Sequence, residues 1–339
     1  MTTEPAHLAA FCANSTCPVL ETGKCLEGLE VGACPHFSRK EGPVELGLSQ
    51  SAGIGSRAAI ELAAAGTLGS SEASRILRRG EARVVAIVGP TAAGKTSLIA
   101  GLYDLFQEGN VSGVYFARSE TLHAFEQTCH DSRSASRRDT PLTTRTPRGD
   151  VRFFHLALQR GPGHDGLQLV LSDRAGEEYR AALDDVSVTT AFVEIQRADS
   201  LALLIDGDRL LGLATRHNLQ SEATLMIQAL LDGGVVDASM RLAVVLTKFD
   251  LAAASDQSAR VDRDFETLLA KLRSLFGGFF SEIEAFRVAA SPQFESTPRG
   301  TGVPALLDYW LREPSSRSTP PLRRLLSTRK FAQLRAHEP

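Results

Sequence analysis

A polyphosphate-binding pattern is formed by eight consecutive residues, 89–96, which read GPTAAGKT. They fit G-x-x-x-x-G-K-S/T, in which small residues let several backbone N–H groups point into one concavity. Lys95 would reach the β- and γ-phosphates, and the Thr96 hydroxyl would bind Mg²⁺. The alternative is a strand-to-helix turn, rich in glycine and alanine, that binds nothing. The predicted phosphate-binding residues are Gly89, Thr91, Ala92, Ala93, Gly94, Lys95, Thr96 and Ser97.

A second group with phosphate chemistry follows at residues 172–177, which read SDRAGE. Asp173 ends an apolar run, and Gly176 comes three residues later. This is the D-x-x-G spacing in which the carboxylate holds Mg²⁺ through water and the glycine N–H contacts the γ-phosphate. Alone the pattern is weak, because chance produces it in many chains. Its place after a phosphate loop and a predicted hairpin strengthens it.

The purine is expected to be selected by residues 247–250, which read TKFD. Guanine offers its N1–H and its 2-amino group as a pair of donors, and the Asp250 carboxylate can accept both. Adenine offers neither and would leave that carboxylate unpaired and desolvated. The stem of Lys248 would lie along the base, with Thr247 beside it. We therefore expect guanine rather than adenine, although an ordinary charge pair at a strand end gives the same four letters.

These motifs need a parallel sheet to bring them together. Apolar runs predict six strands, and helical sequence separates most of them. Residues 151–159 and 167–173 are joined by a glycine-rich turn and predict an antiparallel hairpin. The expected fold is therefore α/β, a doubly wound, mostly parallel six-stranded sheet with one antiparallel edge strand. The motifs then share the carboxyl ends of the strands, where ligands of such sheets bind. The predicted strands are 83–88, 151–159, 167–173, 201–206, 242–248 and 286–290.

Composition narrows the class of protein. The 339 residues are 43% hydrophobic and 23% charged, with a net charge of −3, which gives no bias towards nucleic acid or membranes. No apolar run is long enough to span a membrane, and the first residues lack the features of a signal peptide. We expect a cytoplasmic protein.

Four cysteines near the start of the chain suggest a metal site. Cys12, Cys17, Cys25 and Cys34 lie in a segment too short to fold on its own core, which four thiolates around Zn²⁺ would stabilise. The spacings differ from common zinc fingers. Two alternatives are a zinc site in which His36 is one of the ligands and a segment whose four cysteines are free thiols. Farther along, packing or surface roles are favoured over a metal site for His123, Cys129 and His130.

Changes in composition divide the chain into four parts. We expect a cysteine-rich, zinc-binding segment over 1–37, a linker with short helices over 38–80, and the phosphate-binding domain over 81–312. The remaining residues, 313–339, form a linker and a basic tail. The tail has the pattern of an amphipathic helix, for which packing on its own domain or fraying is favoured over docking on a partner or membrane.

Residues 83–311 resemble the Ras-like, translation-factor-related class of P-loop GTPases, through GPTAAGKT, DRAG, TKFD and a base loop at Ala289-Ala290-Ser291. The cysteine-rich start and the segments RILRRG and FARSETLHAFE are similar to bacterial double-GTPase-type proteins, which stand beside a second GTPase in conflict systems. The resemblance implies Mg²⁺ and GTP or GDP as cofactors, with a protein partner bound according to the nucleotide. It also implies that Ala289 and Ala290 bind guanine, with the Ala290 N–H on O6.

Two departures from that family affect the expected catalytic residues, which are Lys95, Gly176, Glu177 and Thr146. Many relatives carry glutamine after the D-x-x-G glycine, where this chain has Glu177. A carboxylate repels the γ-phosphate, so hydrolysis is expected to be slow or to need a partner. The threonine that reaches Mg²⁺ is ambiguous, and Thr146 is favoured because it is nearest the next strand. The other candidates are Thr140, Thr143 and Thr144.

The expected function is a cytoplasmic regulatory GTPase, in which Arg145 or Arg174 is a candidate arginine finger. The alternative is that both arginines are ordinary charged loop residues exposed to solvent. Two other functions compete with this one. A nucleotide-locked scaffold with negligible turnover would follow from Glu177, and an ATP-dependent enzyme would follow if the purine selection were wrong.

Overall fold

The structure of this protein is a computed structural model that describes residues 66–132, 149, 151–161, 166–294 and 296–314, with short strands at 10–12 and 37–39. The chain divides into two compact units, Met1–Ile60 and Glu61–Pro339. In the first unit, strands β1 (Ala10–Cys12) and β2 (Phe37–Arg39) pair antiparallel. Cys17, Cys25, Cys34 and the Cys12 side chain lie outside what is described, so the zinc site stays a prediction.

Seven strands form the sheet of the second unit, in the order β4-β5-β6-β3-β7-β8-β9. Five of them run parallel, namely β6, β3, β7, β8 and β9. The strand β5 runs antiparallel to both of its neighbours, β6 and β4. The strands are β3 (Ala82–Val88), β4 (Tyr115–Arg118), β5 (Arg152–Gln159), β6 (Leu167–Asp173), β7 (Ser200–Asp206), β8 (Arg241–Thr247) and β9 (Glu282–Arg287).

The prediction of six strands with one antiparallel edge strand is wrong in two respects. The sheet has a seventh strand, β4, and this strand rather than β5 forms the edge. It overlaps residues 111–117, for which the sequence predicts a short extended piece that is not counted among the six strands. The predicted hairpin is present as β5 and β6. Periodicity does not identify β4, because the strand has only four residues, its register shifts between Phe116 and Arg118, and Tyr115 is 51% exposed. A short exposed edge strand carries no alternation of buried and exposed residues.

Helices cover both faces of this sheet. The longest, α9, buries Val261, Phe265, Leu268 and Leu272 at helical spacing. The last, α10, begins with a proline in its first turn and buries Leu306, Leu307 and Trp310, whose spacing in the sequence is that of one helix face. The described helices are α1 (Ser70–Leu77), α2 (Lys95–Glu108), α3 (Leu122–Ser132), α4 (Gly176–Asp184), α5 (Val193–Gln196), α6 (Gly207–Leu211), α7 (Arg216–Asp232), α8 (Phe249–Ala254), α9 (Ser258–Phe276) and α10 (Val303–Leu311).

The central strand β3 separates two apolar cores. Val84, Ala86 and Val88 belong to the core on one face, and Val85 and Ile87 to the core on the other. All five are buried, which explains why the strand is apolar at nearly every position. Because β3 is fixed on both faces and by both neighbours, the loop that follows it starts from a rigid base.

Two buried arginines bind backbone at the amino ends of the parallel strands, where β3 and β8 begin. The Arg83 Nε donates to the carbonyl of Arg312 at 3.0 Å, and the Arg241 Nη1 donates to the carbonyl of Glu313 at 2.7 Å. Both guanidinium groups therefore bind the backbone that leaves α10. These amino ends lie opposite the carboxyl ends, where the phosphate loop follows β3.

A buried histidine on β5 holds the start of α3. The His155 Nδ1 accepts from the Glu120 N–H at 3.1 Å, and its Nε2 lies 2.8 Å from Gln168 Oε1. This pattern requires a neutral ring with its proton on Nε2, since a proton on Nδ1 would face another N–H. Burial lowers the pKa of His155, with the Gln168 bond and Glu120 opposing and Arg118 and Arg79 adding to the shift.

We expect protein stability to fall as the pH drops below about 6.5, because the unfolded histidine takes up a proton that the folded one resists. The contribution of His155 is present above the unfolded pKa and declines below it. Urea unfolding at pH 7.5, 6.5 and 5.5 would measure this. His155→Gln should lower the free energy of unfolding by about 1–3 kcal/mol at pH 7.5 and weaken the acid dependence. His217→Gln, at an exposed position on α7, is the control and should keep the acid dependence of the parent. An acid dependence in His155→Gln equal to that of the parent would contradict the assignment.

Candidate functional site

The loop 89–96 lies between the carboxyl end of β3 and the first turn of α2. Gly94 caps the helix with φ +89°, and Ala92 has φ +63°. Backbone in this left-handed region turns successive N–H groups towards one side, a geometry that forms anion-binding concavities. The strain of holding alanine there is about 1–3 kcal/mol, which the surrounding structure must offset. The loop therefore has the backbone geometry of an anion-binding concavity.

Lys95 closes this loop from inside. Its side chain is 6% exposed, and its Nζ donates to the carbonyls of Gly89 at 2.9 Å and Pro90 at 3.0 Å. Burial lowers the pKa of Lys95 to about 8, while the negative charge of Asp173 opposes the shift. The positive charge at the centre of the loop is thus held at a defined point.

Thr96 and Asp173 meet, although 77 positions separate them in the sequence. The Thr96 Oγ1 donates to Asp173 Oδ2 at 3.2 Å, because α2 starts and β6 ends at the same edge of the sheet. A hydroxyl and a carboxylate supply hard oxygen atoms, which is the donor set that Mg²⁺ prefers. The third predicted Mg²⁺ residue, Thr146, lies outside the described part of the chain, as do Thr140, Thr143, Thr144 and Arg145.

Gly176 approaches the phosphate loop so closely that no side chain fits. A Cβ placed on it would lie 2.3 Å from the Thr91 N and 2.4 Å from the Pro90 carbonyl carbon. Gly176 is also the first residue of α4, so the start of that helix faces the loop. Glu177 follows in the first turn of α4 and is half-buried. The glycine of D-x-x-G is required here by packing alone.

Arg174 is held in the protein and does not extend into the site. Its side chain, 6% exposed, binds both carboxylate oxygens of the fully buried Glu194, through Nε at 2.7 Å and Nη2 at 3.0 Å. Its remaining donors bind Glu178, the Gly149 carbonyl and the Ala191 carbonyl. Burial disfavours the charge, yet the hydrogen bonds and attraction from Glu194 raise the pKa of Arg174 further. As an arginine finger, Arg174 would have to break every one of these bonds, so that hypothesis is wrong for this conformation.

We therefore expect Arg174→Met to lower stability by about 3–5 kcal/mol, because it leaves the Glu194 carboxylate buried without its partner. The double variant Arg174→Met/Glu194→Met removes both charges and should lose much less. Urea unfolding would measure both, with exposed Arg180→Ala as the control. Equal losses in the single and double variants would show that the pair does not act as a unit.

Thr247 joins the two halves of the candidate site. Its Oγ1 lies 2.9 Å from the Ala93 carbonyl in the phosphate loop and 3.2 Å from the Ile205 carbonyl at the end of β7. In this structure the hydroxyl therefore positions the loop. Because Thr247 ends β8, residues 248–250 start next to the phosphate loop.

Lys248 is fixed by a residue that the sequence analysis missed. Its backbone has φ +51°, and its Nζ contacts Asp206 Oδ2 at 2.8 Å. Asp206 ends β7, and its other oxygen accepts from the Asp208 and Arg209 N–H groups to cap α6. An aspartate that ends an apolar strand beside the T-K-x-D strand was the available signal. The ion pair holds the stem of Lys248 in place.

Asp250 and the loop after β9 are also in contact. Asp250 is 3% exposed, and its Oδ2 accepts from the Gln293 N–H at 2.8 Å. From here on, the name base loop is used for the described residues 288–294 and 296–302, which include the buried Ala289 and Ala290. The Phe249 N–H also donates to the Val288 carbonyl at 3.1 Å. The predicted purine-selecting residues thus come together at one edge.

Other metal and membrane features are absent from the part of the chain that is described. In that part, no group of three or more His, Cys, Asp or Glu side chains could hold a metal ion. Cys129 is buried against α2, with its Sγ 3.5 Å from the Ala100 carbonyl, whereas His123 and His130 are exposed. Among the described helices, none is both long and apolar enough to cross a membrane.

Comparisons with known proteins agree with the motifs. Residues 83–311 match a protein-family model described as Double-GTPase 2. A search of curated proteins found no match to the sequence.

Two solved structures resemble the chain at low similarity. One is the signal recognition particle receptor SRb-GTP/SRX complex from Chaetomium thermophilum, at 16% identity and a TM-score of 0.36, covering 68% of this chain and 95% of that one. The other is Roco2 RocCORdC from Methanosarcina barkeri bound to GDP, at 14% identity and a TM-score of 0.33. That match covers 68% of this chain and 49% of the other.

Proposed function

This chain belongs to the Double-GTPase 2 family, and we propose that it is a Mg²⁺-dependent switch that binds GTP and GDP, hydrolyses GTP slowly and changes its affinity for a protein partner with the nucleotide. Membership of a P-loop GTPase family supports guanine-nucleotide binding. The proposals on hydrolysis and on individual residues are supported by the site geometry and the motifs, and the proposal of a protein partner by the family description.

One contact supports this proposal most strongly: the Thr247 Oγ1 lies 2.9 Å from the Ala93 carbonyl. It joins the end of the T-K-x-D strand to the loop that would hold the phosphates. A single nucleotide could therefore reach both Lys95 and Asp250. A phosphate loop far from Asp250 would have favoured a nucleotide site without base selection.

Thr96 and Asp173 would hold the metal ion. Mg²⁺ keeps several water molecules and needs few protein ligands when phosphate oxygens supply the others. When bound, the ion would neutralise charge on the β- and γ-phosphates. Asp173 also lies near enough to Lys95 to oppose the lowering of that residue's pKa.

Asp250 would select guanine in an orientation fixed by the protein. One of its oxygens already accepts the Gln293 N–H, which orients the carboxylate from the base loop. The carboxylate can then accept from the N1–H and 2-amino group of guanine. Ala290 would offer its N–H to O6, and Lys248, held by Asp206, would lie along the ring.

Glu177 supports a second candidate, a nucleotide-locked scaffold. It lies in the first turn of α4 directly after Gly176, whose backbone packs against the phosphate loop. A carboxylate at this place repels the γ-phosphate, so turnover is slow or requires a partner. Arg174 is engaged with Glu194, which leaves this conformation without a stabilising charge from that residue. The family description makes a second GTPase the natural candidate partner.

The proposal is tested by nucleotide competition. Protein stripped of nucleotide should bind labelled GDP in the presence of Mg²⁺, and unlabelled GDP or GTP should displace it while excess ATP does not. Displacement by ATP as effective as that by GDP would refute guanine binding. Single-turnover hydrolysis of GTP by the parent and by Glu177→Gln then separates the two candidates. Much faster hydrolysis in Glu177→Gln would favour the scaffold.

A further inference from the structure

One side of α2 contacts the base loop at three places within little more than one helical turn. The backbone of Gly101 packs against Ala290, the carboxylate of Asp104 lies 2.8 Å from Arg299 Nη2, and Leu105 packs against Gly300. The same helix starts at Lys95. The helix that begins at the phosphate cradle therefore also supports the loop proposed to hold the base.

Gly101 is the closest of these contacts. A Cβ placed on it would lie 2.9 Å from the Ala290 carbonyl oxygen and 3.0 Å from the Ala290 Cβ. Both atoms belong to a buried residue, and the nearer one is backbone, so neither can turn away as a flexible side chain would. Ala290 or α2 would have to shift by a few tenths of an ångström.

Glycine is an unfavourable residue in the interior of a helix. It destabilises a helix interior by about 1 kcal/mol relative to alanine. Gly101 lies in the middle of α2, with a φ that alanine adopts without strain. The close approach of Ala290 supplies the reason here.

The base loop has little freedom to yield. The Gln293 N–H donates to the Asp250 carboxylate at 2.8 Å. The Ala289 N–H donates to Thr301 at 3.0 Å, which ties the two arms of the loop together. A displacement of Ala290 would therefore be transmitted to the groups proposed to bind the purine.

We propose that Gly101 is a positioning residue that sets the place of Ala290 and so tunes the affinity for the guanine base without touching the nucleotide. This inference rests on the proposed function. It assigns to α2 two roles, one at the phosphates and one at the base.

The test compares a ligand that has the base with one that lacks it. Calorimetric titrations with GDP and with inorganic tripolyphosphate, both with Mg²⁺, are made on the parent and on Gly101→Ala. We expect GDP affinity to fall roughly tenfold, or about 1.4 kcal/mol, with tripolyphosphate affinity unchanged. Gly278→Ala, where nothing lies within 4 Å of an added Cβ, is the matched control and should bind both ligands as the parent does.

Two results would overturn the inference. One is an unchanged GDP affinity in Gly101→Ala, and the other is an equal loss for GDP and tripolyphosphate. If the parent binds ADP as tightly as GDP, the proposed function fails and takes this inference with it. If Gly101→Ala does not fold, Gly101→Ala/Ala290→Gly is compared with Ala290→Gly by the same two titrations. The base-specific loss is again expected, and its absence would again overturn the inference.

Discussion

Lys95→Ala should reduce GTP and GDP affinity by at least about a hundredfold, or roughly 2.7 kcal/mol. Lys95 supplies the only side-chain cation within the loop 89–96. Its ammonium is buried, and the loop carbonyls of Gly89 and Pro90 hold it in place. Each charge-assisted bond to phosphate contributes about 1.5–3 kcal/mol, and no neighbouring residue of the loop can replace it.

The measurement is GDP titration of protein freed of nucleotide, beside thermal unfolding of both proteins. Removing an ammonium whose burial lowers its pKa also removes a desolvation penalty, so large unfolding is not expected. Lys271→Ala, on the exposed side of α9, is the matched control and should bind normally. A folded Lys95→Ala protein with the parent's GDP affinity would refute the phosphate site.

Asp250→Asn should exchange guanine preference for xanthine preference. The Gln293 N–H needs an acceptor, so the asparagine oxygen is expected to keep that bond and turn its NH₂ group towards the base. This NH₂ would then face the N1–H and 2-amino donors of guanine. Xanthine carries an oxygen in place of the 2-amino group and can accept from it. We expect GDP affinity to fall about a hundredfold, since two bonds to a charged group are lost.

Labelled xanthosine diphosphate (XDP) bound to the variant, and labelled GDP bound to the parent, would each be displaced with unlabelled XDP and GDP to measure this exchange. Asp256→Asn, at an exposed position near the start of α9, is the control and should keep the parent's preference. Equal affinity of the parent and Asp250→Asn for GDP would show that Asp250 does not read the base. Loss of both ligands would instead point to a collapsed base loop.

Local patterns predict what short-range geometry determines. The phosphate loop requires a strand, a turn and a helix start within 14 residues, 83–96, and the structure confirms this prediction of the local fold. The contact between Thr96 and Asp173 follows in turn, because the ends of neighbouring parallel strands must share an edge. The core positions of α10 were predictable for the same reason, since helical spacing alone determines its buried face.

Partners that meet only in the folded chain could not be predicted. The pairing of the candidate finger Arg174 was not foreseen, because its partner Glu194 lies 20 positions away on a helix of only four residues. Gly101 gives no signal in the sequence, since only the position of Ala290 explains it. The strand β4 is short, exposed and bulged, so no pattern of burial identified it.

Arg83 and Arg241 hold the carbonyl groups of Arg312 and Glu313 by hydrogen bonds, which matters for attaching the protein to a surface. These carbonyls are fixed at the edge where the parallel strands begin, whereas Lys95 and Asp250 lie where they end. An immobilisation tether attached at position 313 would leave this domain from the side opposite Lys95 and Asp250. A biosensor surface built in this way should therefore leave nucleotide entry unobstructed.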